Sequence, residues 1–282
     1  MSDGSDANDA NDAGERSAAT RLAVAERAAR AGGALAVERF RRDVDVVANP
    51  GSINAVTRTD RDVQRRVVDV VRESFPDDAV VGEEADAGTA VPDEGPVWVV
   101  DPIDGTNNFV RGLRTWGTSV AAVVDGAPVA AVNHFPALDD TYAVGPGGVT
   151  RNGRAVAVRT EDDPARCTVA PTVWWDADDR EAFAAAARAV VERFGDMRRT
   201  GSTQATLSRV AAGGLDGAFT DVTPHPWDSV AGAFAVERAG GVVTDLDGED
   251  WRWAPDVHGL VAASEAAHAE VLDAARELLA VR

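Results

Sequence analysis

The chain has 282 residues, 45% of them apolar, which is enough to build one large α/β domain or two small ones around a core. Asp and Glu number 47 against 28 basic residues, a formal charge of −19, and this surplus argues against general binding to the phosphate backbone of nucleic acid. Every basic residue is arginine, so Schiff-base catalysis and the lysine-dependent Walker phosphate loop are excluded.

Residues 1–15 are Ser, Asp, Asn, Gly and Ala with almost nothing to bury, and are expected to form a disordered acidic tail. They show no charged-then-apolar signal pattern, and no apolar run in the sequence reaches the roughly 18 residues of a membrane helix. Residues 17–42 read as one long amphipathic helix through Leu22, Ala25, Ala29, Leu35 and Phe40, loosened at Gly32-Gly33. A second helix is expected from residue 59 or 60 to 73, burying Val63, Val67, Val70 and Val71, with Pro76 beyond its end. Strands are expected at 79–82 and 97–100, the latter entering a turn at Asp101-Pro102-Ile103-Asp104-Gly105-Thr106. From 118 to 159, Asp125-Gly126, Gly145 to Gly148 and Asn152-Gly153 punctuate short apolar runs, the pattern of an antiparallel meander. Cys167 stands alone, so no intrachain disulfide or cysteine zinc cluster is possible. The last third alternates, with strands near Thr168, Met197, Ala218, Val242 and Leu260 and helices near 179–194, 203–212, 226–239 and 264–280, a layered α/β pattern. A cytoplasmic protein is expected. Its acidic, lysine-free composition would suit concentrated salt, where screening shortens to about 3 Å at 1 M.

The residues that carry chemistry are Glu83-Glu84, Asp101, Asp104, Thr106 and, far along the chain, Asp228. Oxygen donors without His or Cys select Mg²⁺ or Mn²⁺, and magnesium usually completes its octahedron with water and substrate phosphate. Asp101 is expected at the carboxyl end of a strand, where open α/β sheets place ligands. Alternation would turn Asp101 and Ile103 to one side, so that the Ile103 carbonyl joins the Asp101 carboxylate on one ion while Asp104 reaches a second. Gly105 lets the backbone approach a ligand, and if residues 106–109 open a helical turn, the Gly105 and Thr106 amides form a cradle for an anion. Pro226 suits the first position of a helix, which puts Asp228 in its first turn, either pointing at a metal or simply satisfying the helix end.

Val81-Gly82-Glu83-Glu84, then Trp98 through Asp101-Pro-Ile-Asp104-Gly-Thr106-Asn-Asn-Phe109, then Trp227-Asp228-Ser-Val-Ala-Gly232 leading to Gly240-Gly241, together resemble the inositol monophosphatase family of lithium-sensitive, magnesium-dependent phosphatases, from about residue 18 onward. The resemblance implies an αβαβα sandwich of the sugar phosphatase type, a homodimer, an N-terminal α+β subdomain over 16–160 and a C-terminal α/β subdomain over 161–282 that completes the site. It implies a first Mg²⁺ on Glu83, Asp101 and the Ile103 carbonyl, a second on Asp101, Asp104 and Asp228, and a weaker third using Glu83 and water. Asp60 would pair with Thr106 to orient and deprotonate the attacking water. Gly201, Ser202, Thr203 and Asp221 map onto substrate positions, with Asp221 standing where inositol-specific members have glutamate. Asn49 replaces a lysine common among relatives. The implied substrate is inositol monophosphate or a related sugar phosphate. Fructose 1,6-bisphosphate is an alternative, with Arg198, Arg199 or Arg209 steadying its second phosphate, as is 3'-phosphoadenosine 5'-phosphate. The non-enzymatic alternative is a metal-binding regulatory subunit, against which the Thr106 and Asp60 pair argues, because only hydrolysis requires it.

Other features read as structural. Asp245-Leu-Asp247-Gly248 has its glycine too early for a calcium loop and reads as a hairpin. His225 reads as a wall residue, Cys167 as core, and Trp174-Trp175 and Trp251/Trp253 as packing or dimer contacts. No Gly-x-Ser-x-Gly elbow and no Rossmann glycine spacing is present.

Overall fold

The computed structural model describes residues 5–42, 46–48, 55–84, 87–88, 90–172, 180–254 and 257–280. The helices are α1 (Ser5–Arg39), α2 (Arg58–Arg72), α3 (Thr106–Val110), α4 (Arg180–Arg193), α5 (Thr203–Ala211), α6 (Pro226–Arg238) and α7 (His268–Arg276). A small antiparallel pair, β1 (Val46–Ala48) and β2 (Ala55–Thr57), precedes α2. A seven-stranded sheet runs in chain order through β3 (Ala79–Gly82), β4 (Pro96–Asp104), β5 (Gly117–Val124), β6 (Ala127–Phe135), β7 (Asp140–Gly145), β8 (Gly148–Arg151) and β9 (Arg154–Ala155). Apart from the parallel β3–β4 pair it is the antiparallel meander that the turn signals call for. A five-stranded sheet is built from β10 (Thr168–Pro171), β11 (Asp196–Met197), β12 (Gly217–Thr220), β13 (Gly241–Thr244) and β14 (Leu260–Ser264), in the order β11-β10-β12-β14-β13.

The buried side chains define the layers. Trp98, Val100, Val120, Ala122 and Val132, on one face of the large sheet, pack with Val24, Ala25, Ala28 and Ala29 of α1 and Val63, Val67, Val70 and Val71 of α2. Each buried valine of the α2 stripe contributes on the order of 1.5 kcal/mol by leaving water. The opposite face, with Val97, Val99, Ala121 and Ala131, meets Leu207 and Val210 of α5 and Val230, Ala231 and Phe234 of α6, which in turn cover Ala170, Ala218, Val243 and Ala262 of the small sheet. Beyond that sheet, Val169, Phe219, Val261 and Ala263 are closed off by Ala186 and Val190 of α4 and by Val271 and Ala275 of α7. The sequence of layers is helix, sheet, helix, sheet, helix.

Three expectations change. Helix α1 begins at Ser5, so residues 5–15, expected in a disordered tail, are helical; their alanines have the highest helix propensity, and aspartates suit the positive end of a helix. Gly32 and Gly33 do not loosen that helix. They let it approach its neighbours, since a Cβ on Gly32 would sit 2.7 Å from Val67 and one on Gly33 2.6 Å from His134. The segment from Asp101 to Asp104 is not a turn after a strand but the end of β4 itself.

Several buried polar groups away from the pocket are paired, as burial favours, while Arg21 Nε, Trp116 Nε1, Asn133 Oδ1 and Trp251 Nε1 are buried without a hydrogen-bond partner among the described residues. Arg21 of α1 donates to Asp78 at 2.5 Å and lies over the Phe75 ring at 4.3 Å, while Trp98 Nε1 donates to the same Asp78 oxygen at 2.9 Å. His134 Nδ1 lies 2.9 Å from Thr141 Oγ1, and burial pushes the imidazole down to about 4, so it stays neutral in the core. Cys167 is buried, and Trp251 and Trp253 form an edge-on pair against the core, in keeping with packing roles. Trp174-Trp175 and Asn49 lie outside the described residues.

Candidate metal centre

In a regular strand, residues three apart point to opposite faces. β4 pairs regularly with β5 up to Asp101 opposite Ser119, then resumes at Asp104 opposite Gly117, so β4 carries one extra residue between those pairs. This bulge turns Asp104 back to the side of Asp101. It also separates Ile103 from Asp101, contrary to the simple alternation. The Ile103 side chain joins Trp98 and Val100 in the core beneath α1 and α2, and its backbone borders the pocket.

Asp228 arrives from the other half of the chain. Pro226 starts α6 as expected, and Asp228 lies in its first turn with its amide donating to the His225 carbonyl at 3.1 Å. Carboxylate oxygens of Asp101, Asp104 and Asp228 all lie within 4.8 Å of one another. At that spacing and an effective dielectric near 20, each ionised pair repels by about 3 kcal/mol. Burial and the neighbouring acids raise Asp101 well above the ordinary carboxylate range. Burial likewise lifts Asp104 to about 7, against the pull of the Ser202 hydroxyl, and Asp228 to about 7. Glu83 is exposed to the open pocket, yet the surrounding protein, Asp228 and Asp60 hold its carboxyl well above its usual range. Asp101 Oδ1 is buried with no hydrogen-bond partner among the described residues. An orphaned oxygen, converging carboxylates and the absence of nitrogen or sulfur donors in the cluster fit a hard divalent cation such as Mg²⁺.

These shifts set a pH dependence. A carboxyl whose folded value is raised binds protons in the folded chain that the unfolded chain has already released, so the metal-free protein loses stability as pH rises from about 4 to about 7. A bound cation removes that penalty. A fixed Mg²⁺ concentration of about 100 times the Kd at pH 8 is expected to add about 2.7 kcal/mol there, or roughly 5–10 °C in Tm, and less at pH 5, where protons compete for the carboxylates. Thermal unfolding followed by circular dichroism checks this, and a Tm indifferent to Mg²⁺ at pH 8 would remove the cation from the cluster.

The carboxylates open into a cleft of about 390 Å³, bordered also by Glu83, Gly105, Thr106, Thr203 and His225. His225 is a wall residue stacked on Trp227 at 4.7 Å. Thr106 Oγ1 lies 3.2 Å from Asp60 Oδ1 and 2.9 Å from the Ile103 carbonyl, two acceptors competing for one hydroxyl proton. Gly105 takes φ 86°, a left-handed conformation suited to glycine, directly before α3.

The positions expected to touch substrate divide. Thr203 borders the cleft, whereas Gly201 and Ser202 border a smaller neighbouring cavity with Arg199 and Thr200. Ser202 caps α5 by accepting from the Ala205 amide at 3.0 Å, and its hydroxyl donates to Asp104. Asp221 is buried, and it is its neighbours Thr220 and Val222 that border the cleft. Thr172, Thr220 and Thr223 on the same wall were not anticipated, because no local motif marks them. Glu84, next to Glu83, turns inward: it accepts from Arg61 at 3.1 Å, and its backbone amide is held by Gln64 at 3.0 Å.

A family model described as the inositol monophosphatase family matches residues 18–280. A protein of Thermotoga maritima named fructose-1,6-bisphosphatase/inositol-1-monophosphatase is 33% identical over 208 residues, covering 73% of this chain and 77% of its own. The Nus factor SuhB of Escherichia coli K12 is 32% identical over 232 residues, covering 80% and 85%. Among solved structures, a Thermotoga maritima IMPase superposes with a TM-score of 0.84 at 29% identity, over 93% of this chain and 99% of that one.

Proposed function

Because this chain belongs to the inositol monophosphatase family and is a phosphoric monoester hydrolase, we propose that it hydrolyses inositol monophosphate or a related sugar phosphate, with Mg²⁺ held by Glu83, Asp101, the Ile103 carbonyl, Asp104 and Asp228. The convergence of Asp101, Asp104 and Asp228 within 4.8 Å, beside the paired Thr106 and Asp60, carries this reading. When bound, divalent cations would acidify water and offset charge on the phosphoryl group.

The chain's own residues do the rest. With the Ile103 carbonyl turned to a cation, the Thr106 hydroxyl would donate its hydrogen bond to the Asp60 carboxylate, which leaves the Thr106 oxygen free to accept from a water and so aim the water's lone pair at phosphorus. Buried donors on Asp104, from Ser202 Oγ and the Thr203 amide at 3.1 Å, fix that carboxylate's rotamer. The backbone at Gly105 and Thr106 borders the space the phosphoryl oxygens would take, and supplies polar contacts without adding negative charge. That matters in a chain of −19, whose overall field repels an anionic substrate. Thr172, Thr220 and Thr223 also border the cleft; the Thr172 and Thr223 hydroxyls donate to the Phe219 and Val257 carbonyls, which leaves their oxygens as acceptors for a polyol.

Fructose 1,6-bisphosphate is a second reading, favoured by the name of the Thermotoga relative and by Arg199, a cation bordering the adjoining cavity. Homodimer formation, a cytoplasmic setting and tolerance of high salt belong to the same proposal. Phosphate release from inositol 1-phosphate, fructose 1,6-bisphosphate and 3'-phosphoadenosine 5'-phosphate, with Mg²⁺ supplied and then chelated, tests it. Mg²⁺-dependent release is expected, greatest with inositol 1-phosphate; release that survives chelation would overturn the reading.

A further inference from the structure

Asp104 and Asp228 come from different elements, β4 and α6, and the first turn of α5 bonds to Asp104 and to the residue that precedes Asp228. The amide of Thr203 and the hydroxyl of Ser202 donate to the Asp104 carboxylate. From the same turn, the Gln204 side chain reaches in the other direction. Its Nε2 donates to the carbonyl of Trp227, the peptide immediately before Asp228, at 2.7 Å. Gln204 is wholly buried, and its Oε1 accepts from Asn133 of β6 at 3.1 Å; Asn133 also donates to Ser208 at 3.0 Å. α5 and α6 pack closely enough for this because residue 232 is glycine: a Cβ there would lie 2.5 Å from Leu207 Cβ and 2.8 Å from Gln204 Oε1.

A buried amide is costly unless satisfied, and an apolar side chain of the same length would fill the space without that demand. The side chain here spends its donor on the carbonyl of the residue next to Asp228, in the first turn of α6 that presents its carboxylate. Resting on the metal-centre reading above, we infer that Gln204 is a positioning residue for the divalent cation, tying the seat of Asp228 to the turn of α5 whose Ser202 and Thr203 hold Asp104. Outer partners that orient ligands without touching the metal commonly set affinity by about 10- to 100-fold.

Calorimetric titration of the metal-free protein with Mn²⁺ tests this. Gln204→Met, similar in length but without the amide, is expected to weaken Mn²⁺ binding by about 10- to 100-fold while far-ultraviolet circular dichroism stays that of the parent. Ser208→Ala cuts the same network at the end away from the acids and is expected to leave the Mn²⁺ affinity unchanged. Should Gln204→Met not fold, the pair Asn133→Leu/Gln204→Leu, which removes both amides and orphans neither, carries the same expectation. A purely structural role would lower the Tm of Gln204→Met and Ser208→Ala alike and leave the Mn²⁺ affinity of both at the parent value, and that result overturns the inference. Failure of the parent itself to bind Mn²⁺ would instead defeat the metal-centre reading.

Discussion

Asp228→Asn is expected to cut Mg²⁺-dependent phosphate release by at least about 100-fold, more than the loss of an outer partner usually costs, because it removes a charged oxygen from the cation itself. The same substitution is expected to stabilise the metal-free protein. Burial raises Asp228 to about 7, so above that pH the folded chain carries an ionised carboxylate it holds less readily than the unfolded chain does. An amide of the same shape carries no such penalty. The advantage of the variant should be largest above pH 7 and fade as pH falls, vanishing below about pH 4, where both states of the parent become protonated. Phosphate assays and thermal unfolding at pH 8 and pH 5 measure the two effects. A variant that is both active and no more stable at pH 8 would place Asp228 outside the cluster's chemistry.

Thr106→Ala should separate binding from turnover. Its hydroxyl bonds to Asp60 and to the Ile103 carbonyl and touches none of the three clustered carboxylates. Mn²⁺ affinity is therefore expected to persist, while the rate falls by about 10²- to 10⁴-fold, the usual worth of positioned proton transfer. KM should change little, since the loss falls on the step and not on the hold. A rate equal to that of the parent would take Thr106 out of water activation, and an equal loss of Mn²⁺ affinity would make it a support for the cation instead.

Local chemistry explains which parts of this site the sequence discloses. Asp101 and Asp104 announce themselves as hard oxygen donors within one short motif, and Pro226 marks the helix start that presents Asp228. The bulge that aligns Asp104 with Asp101 leaves no such mark. It follows from how β4 pairs with β5, and alternation alone sends Ile103 to the wrong side. Gly32-Gly33 reads as a weak point because glycine is a poor helix former, yet its meaning comes from Val67 and His134 lying against it. Ser202 is expected at a substrate position only through the family resemblance; the packing of α5 beside the end of β4 is what turns its hydroxyl onto Asp104. Gln204 is invisible for the same reason, being an ordinary helix residue until α6 is laid across it. The layers were legible because turn residues and apolar runs are local signals, whereas residues 5–15 show that a polar, alanine-rich run is compatible with helix as well as with disorder.

The supply of carboxylates from both sheets' surroundings has a bearing on synthesis. Asp101 and Asp104 leave the ribosome long before Asp228, and the large sheet can be complete while α6 is still within the exit tunnel. A nascent chain halted at β9 would hold two of the three clustered acids and only half of the cleft. On the metal-centre reading, a site that needs all three acids is complete only once α6 has joined the large sheet, so a cation held by them would stabilise a chain whose two halves have already met.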